Sequence, residues 1–200
     1  MKKVIYIHGK GGSIDEAKEY APLFKGYDTA GIDYKSETPC QAREEFSELY
    51  DKLCGKSDEV ILIANSIGAY FAMHSLSGKR IKKAFFISPI VDMKGLIENM
   101  MKSAGVSESE LKEQGEISTS FGQTLSWEYL CFVRDTPIKW SIPTEVIYGS
   151  NDALTSYETI AAFCKKTGAR LTIMQGGEHW FHTQEQLSFV KSCIRRGVNK

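Results

Sequence analysis

Short apolar runs alternate with segments of helical periodicity along most of this chain. Six of these runs predict strands: Val4–Ile7, Thr29–Ile32, Glu59–Ala64, Lys82–Ile87, Thr144–Tyr148 and Arg170–Met174. Strands that alternate with helices are joined by right-handed crossovers, which makes the strands parallel and covers both faces of the sheet with helices. The sequence therefore predicts a single α/β domain over residues 1–200.

Four pairs of residues predict where helices begin, because each has a Ser or Thr followed three positions later by Glu or Gln. In such a capping box, the hydroxyl and the longer side chain each accept a hydrogen bond from the other residue's backbone N–H. The pairs are Ser13 with Glu16, Thr38 with Gln41, Thr155 with Glu158 and Thr183 with Gln186. The second pair opens a helix that has Pro39 at its first position and ends at Gly55.

A stretch of about fifty residues between the fourth and fifth strands has no strand pattern and is too long for an ordinary connection. We expect this segment, residues 90–142, to form a helical lid inserted into the domain. Three helices are predicted in it. The first has an apolar stripe and ends at Gly105, the second is short and starts at Ser107, and the third runs from about Thr124 to Arg134. Met93 and Ile97 lie on the stripe. They either pack against the body of the protein or line an apolar substrate pocket, for which flexible methionine side chains are suited.

The composition excludes several classes of partner. The 200 residues carry 25 basic and 25 acidic side chains, so no net charge attracts nucleic acid or an anionic membrane. The five cysteines are odd in number and have no C-x-x-C spacing, which indicates neither a disulfide framework nor a thiolate zinc site. The first apolar run, Val4–Ile7, is too short for a signal sequence or a membrane span. We expect a cytoplasmic protein.

The segment Ala64-Asn65-Ser66-Ile67-Gly68 has the pattern of a nucleophile elbow. It follows a predicted buried strand and precedes a predicted helix, which is the strand–turn–helix setting in which a nucleophilic serine is exposed. The residues two before and two after that serine must be small because strand and helix backbones pass close by, and Ala64 and Gly68 are small. Ser66 is thus the candidate nucleophile, and a plain helix cap is the alternative.

A serine hydroxyl is a poor nucleophile at neutral pH, so it needs a histidine base and an acid that orients the histidine. His179 follows the last predicted strand and is the candidate base, with His182 as its direct competitor. Asp152 follows the fifth predicted strand and is the candidate acid, with Asp92 as the alternative. His8 and His74 are expected to be structural.

The glycine-rich turn from His8 to Ser13 lacks the spacing of a phosphate-binding loop, since its glycines fall at positions 9, 11 and 12. A better use for it is to direct a backbone N–H at a developing oxyanion. We expect the backbone N–H of Lys10, with that of Gly11 as second choice, to act together with the N–H of Ile67. The four histidines are scattered and no carboxylates cluster at ligand spacing, so we expect no metal.

Ser66, Asp152 and His179 in that chain order, with His8-Gly9 after the first strand, resemble the α/β-hydrolase superfamily over nearly the whole length. The resemblance implies six parallel strands in the order 2-1-3-4-5-6, without the N-terminal hairpin of larger members. It also implies that Ser66 is the nucleophile, His179 the general base and acid, and Asp152 its orienting partner.

We therefore expect a cytoplasmic serine hydrolase that cleaves a small carboxylic ester through an acyl-enzyme, without a cofactor. Trp180, beside the candidate base, joins Met93 and Ile97 as a candidate substrate-binding residue. An acyl thioesterase is the nearest alternative, and a non-catalytic binding protein with the same fold is the alternative from a different class. An exposed apolar stripe on the lid would permit a homodimer.

Overall fold

The structure is a computed structural model, and it describes residues 1–198. Its strands are β1 (Lys2–Ile7), β2 (Asp28–Gly31), β3 (Glu59–Asn65), β4 (Lys83–Ile87), β5 (Glu116–Ser118), β6 (Thr124–Ser126), β7 (Thr144–Gly149) and β8 (Arg170–Met174). Its helices are α1 (Ala17–Tyr20), α2 (Pro39–Cys54), α3 (Ile67–Ser75), α4 (Met93–Ala104), α5 (Glu108–Gln114), α6 (Trp127–Asp135), α7 (Tyr157–Thr167) and α8 (Gln184–Val198). Short 3-10 turns at Ile14–Glu16 and Ala21–Leu23 flank α1.

Six of the strands form one sheet in the order β2-β1-β3-β4-β7-β8, and every neighbouring pair in it is parallel. Counted along the chain within this sheet, the order is 2-1-3-4-5-6, so the predicted α/β fold and strand order are confirmed. In a sheet of this kind, the carboxyl ends of the strands meet at one edge, and ligands bind there. The residues after β1, β3, β7 and β8 are therefore brought to a common edge.

The middle of each central strand is apolar because helices cover the sheet. Ile5, Ile7 and Leu62 are fully buried in β1 and β3. Burying a side chain of this size contributes roughly 1.5–3 kcal/mol, so these strands form a rigid base for the loops at their ends. Within residues 1–198, no helix has the length and hydropathy needed to cross a membrane.

The chain divides into two compact units. Among the described residues, the first comprises 1–91 and 139–198 and contains the sheet, and the second is the inserted segment Asp92–Ile138. In the second unit, Asp92 caps the start of α4, since its carboxylate accepts from the N–H of Gly95 at 2.9 Å, and the left-handed Gly105 caps its end. The predicted helices at the stripe and at Ser107 are both present. The role of this unit as a lid stays a prediction.

One prediction for the inserted segment was wrong. It contains an antiparallel hairpin, β5 paired with β6, where we predicted no strand, and the third helix is Trp127–Asp135 because Thr124 to Ser126 form β6. The Thr119 hydroxyl donates to the Gln123 carbonyl at 2.7 Å and closes the hairpin. Each strand has three residues, which is too short for an alternating pattern to be recognised.

Two of the four predicted capping boxes are complete, those of Ser13 and Thr38. The box at Thr155 was wrong, since Ser156 caps α7 by accepting from the N–H of Thr159 at 3.2 Å. The Thr183 box is half formed: its hydroxyl accepts from the N–H of Gln186 at 3.2 Å. The Gln186 Oε1 has no partner within residues 1–198.

Candidate active site

Ser66 lies in the sharp turn between β3 and α3 and has φ 51° and ψ −122°, an unfavourable conformation for a residue with a side chain. Its N–H donates to the Ile87 carbonyl at 2.9 Å, and its carbonyl accepts from the N–H of Ala69 at 3.1 Å. A Cβ atom built on Gly68 would lie 2.3 Å from the His8 carbonyl oxygen. The small residue after the serine is therefore required by the close passage of β1, as the elbow pattern predicts.

Ser66, His179 and Asp152 form a continuous chain of hydrogen bonds. The Ser66 Oγ lies 2.8 Å from His179 Nε2, and His179 Nδ1 lies 2.8 Å from Asp152 Oδ2. An ionised carboxylate can only accept, so Nδ1 carries the proton, and Nε2 is left to accept from the serine hydroxyl. In this arrangement the imidazole can take the serine proton during nucleophilic attack.

The Asp152 side chain is fully buried, and contacts with three residues keep it ionised. Its Oδ1 accepts from the N–H groups of Leu154 at 2.8 Å and Thr155 at 3.1 Å, while Oδ2 faces His179. Burial alone would raise the pKa of this carboxyl group, but the hydrogen bond and charge of His179 and the two backbone donors together lower it. Asp152 is therefore held in the form that orients an imidazole.

The loops that carry Asp152 and His179 are joined through their backbones. The N–H of Asn151 donates to the Gly177 carbonyl at 2.8 Å. A Cβ on Gly149 would lie 2.3 Å from that same oxygen, so glycine is required at this point of contact. The histidine loop is also held in place by Phe181, which follows His179 in sequence and is buried in the core. The relative position of acid and base is thus fixed by packed backbone.

The turn after β1 lies against the serine. The N–H of Gly12 donates to the Gly9 carbonyl at 3.1 Å, and Gly11 has φ 75°, so Lys10 and Gly11 are the central residues of this turn. A Cβ on Gly9 would lie 3.1 Å from the Ser66 Cβ. Ile67 is the first residue of α3, where backbone N–H groups have no acceptor within the helix. The backbone donors predicted for an oxyanion hole therefore come from two segments next to Ser66.

The remaining histidines and Asp92 have other partners. The His182 side chain is 63% exposed and faces Glu178 at 3.4 Å. Asp92 caps α4. His8 stacks on Tyr34, and burial lowers the pKa of His74 to about 4, so a neutral His74 packs edge-on against Tyr70.

The candidate substrate-binding residues are divided between the two units. Trp180 is 64% exposed, and its ring meets the His179 ring edge-on at 5.9 Å, so it can contact a molecule that approaches the base. Met93 and Ile97 lie on α4 of the second unit, and their contribution to a pocket stays a prediction. In the part of the chain that the structure describes, no group of three or more His, Cys, Asp or Glu side chains could hold a metal ion.

Tyr34, which no sequence pattern singled out, contacts the residue before the turn after β1. The Tyr34 hydroxyl donates to the His8 carbonyl at 2.8 Å. The two residues lie 26 positions apart in different loops, and no local pattern relates them.

Structural comparison places this fold among known ones. Alpha/beta hydrolase domain-containing protein 10 from mouse aligns with a TM-score of 0.76 at 14% identity, covering 98% of this chain and 89% of its own. Est1E from Butyrivibrio proteoclasticus aligns with a TM-score of 0.73 at 18% identity, covering 99% and 88%. The Pyrococcus furiosus esterase Pf2001 gives 0.60 at 20% identity, covering 96% and 80%. The chain therefore has the α/β-hydrolase fold.

Sequence comparison gives a more limited result, since no protein-family model matches the chain. A Mycoplasma genitalium protein named "Putative esterase/lipase 3" is 28% identical over 107 residues. The matched region is 51% of this chain and 36% of that protein, so it spans about a third of the relative's length.

Proposed function

We propose that this protein is a serine hydrolase that cleaves a small carboxylic ester. The observation that carries the proposal is the chain of two 2.8 Å hydrogen bonds from Ser66 through His179 to Asp152. It is supported by esterases among the proteins with the same fold and by the sequence relative, whose name also refers to an esterase or lipase. Fold alone does not define a reaction, so the proposal depends on these side chains.

In the proposed reaction, the Ser66 Oγ attacks the ester carbonyl carbon while His179 Nε2 takes the hydroxyl proton. The carbonyl oxygen becomes an oxyanion, to which the N–H groups of Lys10 and Ile67 donate. The tetrahedral intermediate collapses, His179 returns its proton to the leaving alcohol, and an acyl-enzyme remains on Ser66. Water activated by the same histidine then attacks the acyl carbon, which releases the carboxylic acid and the free serine.

Asp152 has a supporting part in this mechanism. Its carboxylate holds the His179 tautomer that leaves Nε2 free to accept, and it stabilises the imidazolium that forms in each half of the reaction. The lowered pKa of Asp152 keeps that carboxylate charged at neutral pH. Trp180, whose ring meets that of His179 edge-on, is proposed to contact the substrate.

The experiment is hydrolysis of p-nitrophenyl acetate and p-nitrophenyl butyrate by the wild type and by Ser66→Ala. We expect saturable turnover by the wild type and background rates for the variant, because removing the nucleophile of a triad abolishes most of the acceleration. Wild-type rates equal to those of Ser66→Ala would contradict the proposal and favour a binding protein. A matched pair of ester and thioester with the same acyl group then defines the leaving group.

A further inference from the structure

Tyr34 lies in the loop after β2 and contacts His8 in two ways. Its ring stacks on the His8 ring with centroids 4.4 Å apart and planes inclined by 17°. Its hydroxyl donates to the His8 carbonyl oxygen at 2.8 Å. Both contacts are to the residue that immediately precedes the Gly9–Gly12 turn, so Tyr34 contacts the start of the proposed oxyanion hole.

The His8 carbonyl also lies against the elbow helix. A Cβ on Gly68 would approach its oxygen to 2.3 Å, which leaves little room for this peptide group to move toward α3. The Tyr34 hydroxyl binds the same oxygen. The end of β1 is therefore fixed by both the elbow and Tyr34.

The geometry of one peptide group transmits this constraint to Lys10. The Gly9 carbonyl accepts from the N–H of Gly12 at 3.1 Å and from His8 Nδ1 at 2.8 Å. A peptide bond is planar and trans, so the direction of the Gly9 carbonyl sets the opposite direction of the Lys10 N–H. A shift of the His8 carbonyl, whose carbon is bonded to the Gly9 nitrogen, or of the His8 ring would therefore reorient the N–H that is proposed to bind the oxyanion.

Tyr34 is itself rigidly placed. The edges of two aromatic rings contact it, those of Phe46 at 4.9 Å and Phe71 at 6.1 Å between centroids. The Glu45 carboxylate accepts from the backbone N–H groups of the two residues that follow Tyr34, at 3.0 Å and 2.9 Å. Burial, followed by the charges of Glu16 and Glu45, raises the pKa of Tyr34, so its hydroxyl stays a donor at neutral pH.

We propose that Tyr34 is a positioning residue that orients the Lys10 N–H toward the oxyanion through its contacts with His8. Tyr34 acts through the turn and need not touch the substrate. The inference rests on the proposed hydrolase function, and it names one side chain that holds the oxyanion hole in position. Precise placement matters here because a displacement of about 1 Å in a catalytic group can reduce a rate about 100-fold.

The test uses Tyr34→Phe, which keeps the ring stack and removes the hydrogen bond to His8. We expect kcat for p-nitrophenyl butyrate to fall about tenfold with KM within about twofold of wild type, since the oxyanion forms only in the transition state. An alkyl trifluoromethyl ketone adds to the serine and carries an oxyanion, so its Ki should rise by the same factor. Tyr34→Leu, which also loses the ring stack, should show larger losses in both.

Tyr50→Phe is the matched control, because the Tyr50 hydroxyl also donates to a carbonyl, that of Arg80, at 2.7 Å. We expect it to change stability by a similar amount and to leave kcat and Ki unchanged. Wild-type values of kcat and Ki in Tyr34→Phe would overturn the inference while leaving the hydrolase intact. Equal losses in Tyr34→Phe and Tyr50→Phe, or a change in KM alone, would overturn it too. An inactive wild type that no fluorophosphonate labels would refute the proposed function itself.

Discussion

Replacing Gly68 with alanine should damage both stability and activity, because this glycine lies where the elbow helix crosses β1. The added Cβ would lie 2.3 Å from the His8 oxygen, 2.9 Å from Ile7 Cγ2 and 3.1 Å from the Ile7 oxygen. Ordinary contacts of a Cβ begin near 3.4 Å, so the His8 carbonyl would have to retreat by about 1 Å. Two of the three atoms are backbone oxygens at the carboxyl end of the buried strand β1, which limits relaxation.

The expected change in stability follows from two opposing effects. Overpacking a well-packed site destabilises by about 1–3 kcal/mol, and the upper part of that range applies because the obstacle is backbone. Alanine is favoured over glycine in a helix by up to about 1 kcal/mol. We therefore expect Gly68→Ala to lower the free energy of unfolding by about 2 kcal/mol, measured by urea denaturation followed by circular dichroism.

The expected change in activity is larger. A shift of about 1 Å at the His8 carbonyl would displace the Gly9–Gly12 turn and the Lys10 N–H, so kcat/KM should fall about 100-fold. Gly78→Ala is the matched control, since a Cβ at Gly78 would meet nothing within 4 Å. Its free energy of unfolding should stay within about 0.5 kcal/mol of wild type, with unchanged kcat/KM. If Gly68→Ala behaved like Gly78→Ala, the close packing between elbow and turn would be refuted.

Two further predictions concern the acid and a buried histidine. Asp152→Asn should lower kcat about 10⁴-fold in the p-nitrophenyl ester assay, because His179 loses the tautomer that accepts from Ser66, while Asp92→Asn should retain activity; equal rates in the two variants would contradict the assignment. Burial lowers the pKa of His74 from its ordinary 6.5 to about 4, so the unfolded chain binds a proton in this range that the folded chain does not. The wild type should therefore lose more unfolding free energy than His74→Leu between pH 7 and pH 5; parallel losses in urea titrations would refute this.

The strands of the main sheet and the three candidate catalytic residues could be predicted because their signals are local, whereas the strand order was implied by the resemblance to α/β-hydrolases. Ser66 follows an apolar strand and has a small residue on each side, two positions away. Asp152 and His179 each follow a strand, and a parallel sheet brings strand ends together regardless of their distance in sequence. The sheet topology therefore predicts that these three residues lie close together, which no single sequence motif indicates.

The errors have physical causes that lie outside local sequence. Thr155 and Ser156 are adjacent hydroxyl residues, and only Thr155 has Glu or Gln three positions later, so the capping-box pattern favours Thr155. The Asp152 carboxylate accepts from the N–H of Thr155 and holds that residue in its loop, which leaves Ser156 to cap α7. The start of this helix was thus decided by the candidate catalytic acid, through a contact that a capping pattern does not include.

The contact between Tyr34 and His8 is another feature that the sequence could not predict. It depends on the register of β2 against β1 and on the path of the loop after β2. Several other aromatic rings are buried, so the sequence does not indicate which of them Tyr34 packs against. Side-chain contacts between loops are decided by packing in three dimensions, whereas helix and strand patterns report only which face of an element is buried.

Fluorophosphonate labelling, read by intact mass and peptide mapping, tests the central claim most directly. The reagent reacts with a serine only when a neighbouring base activates its hydroxyl. Labelling of Ser66 therefore tests whether the hydrogen bond to His179 makes this serine nucleophilic. We predict a single adduct on Ser66 in the wild type and in His182→Ala, and none in Ser66→Ala or His179→Ala. Absence of an adduct in folded wild type, or an adduct that persists without His179, would contradict the account.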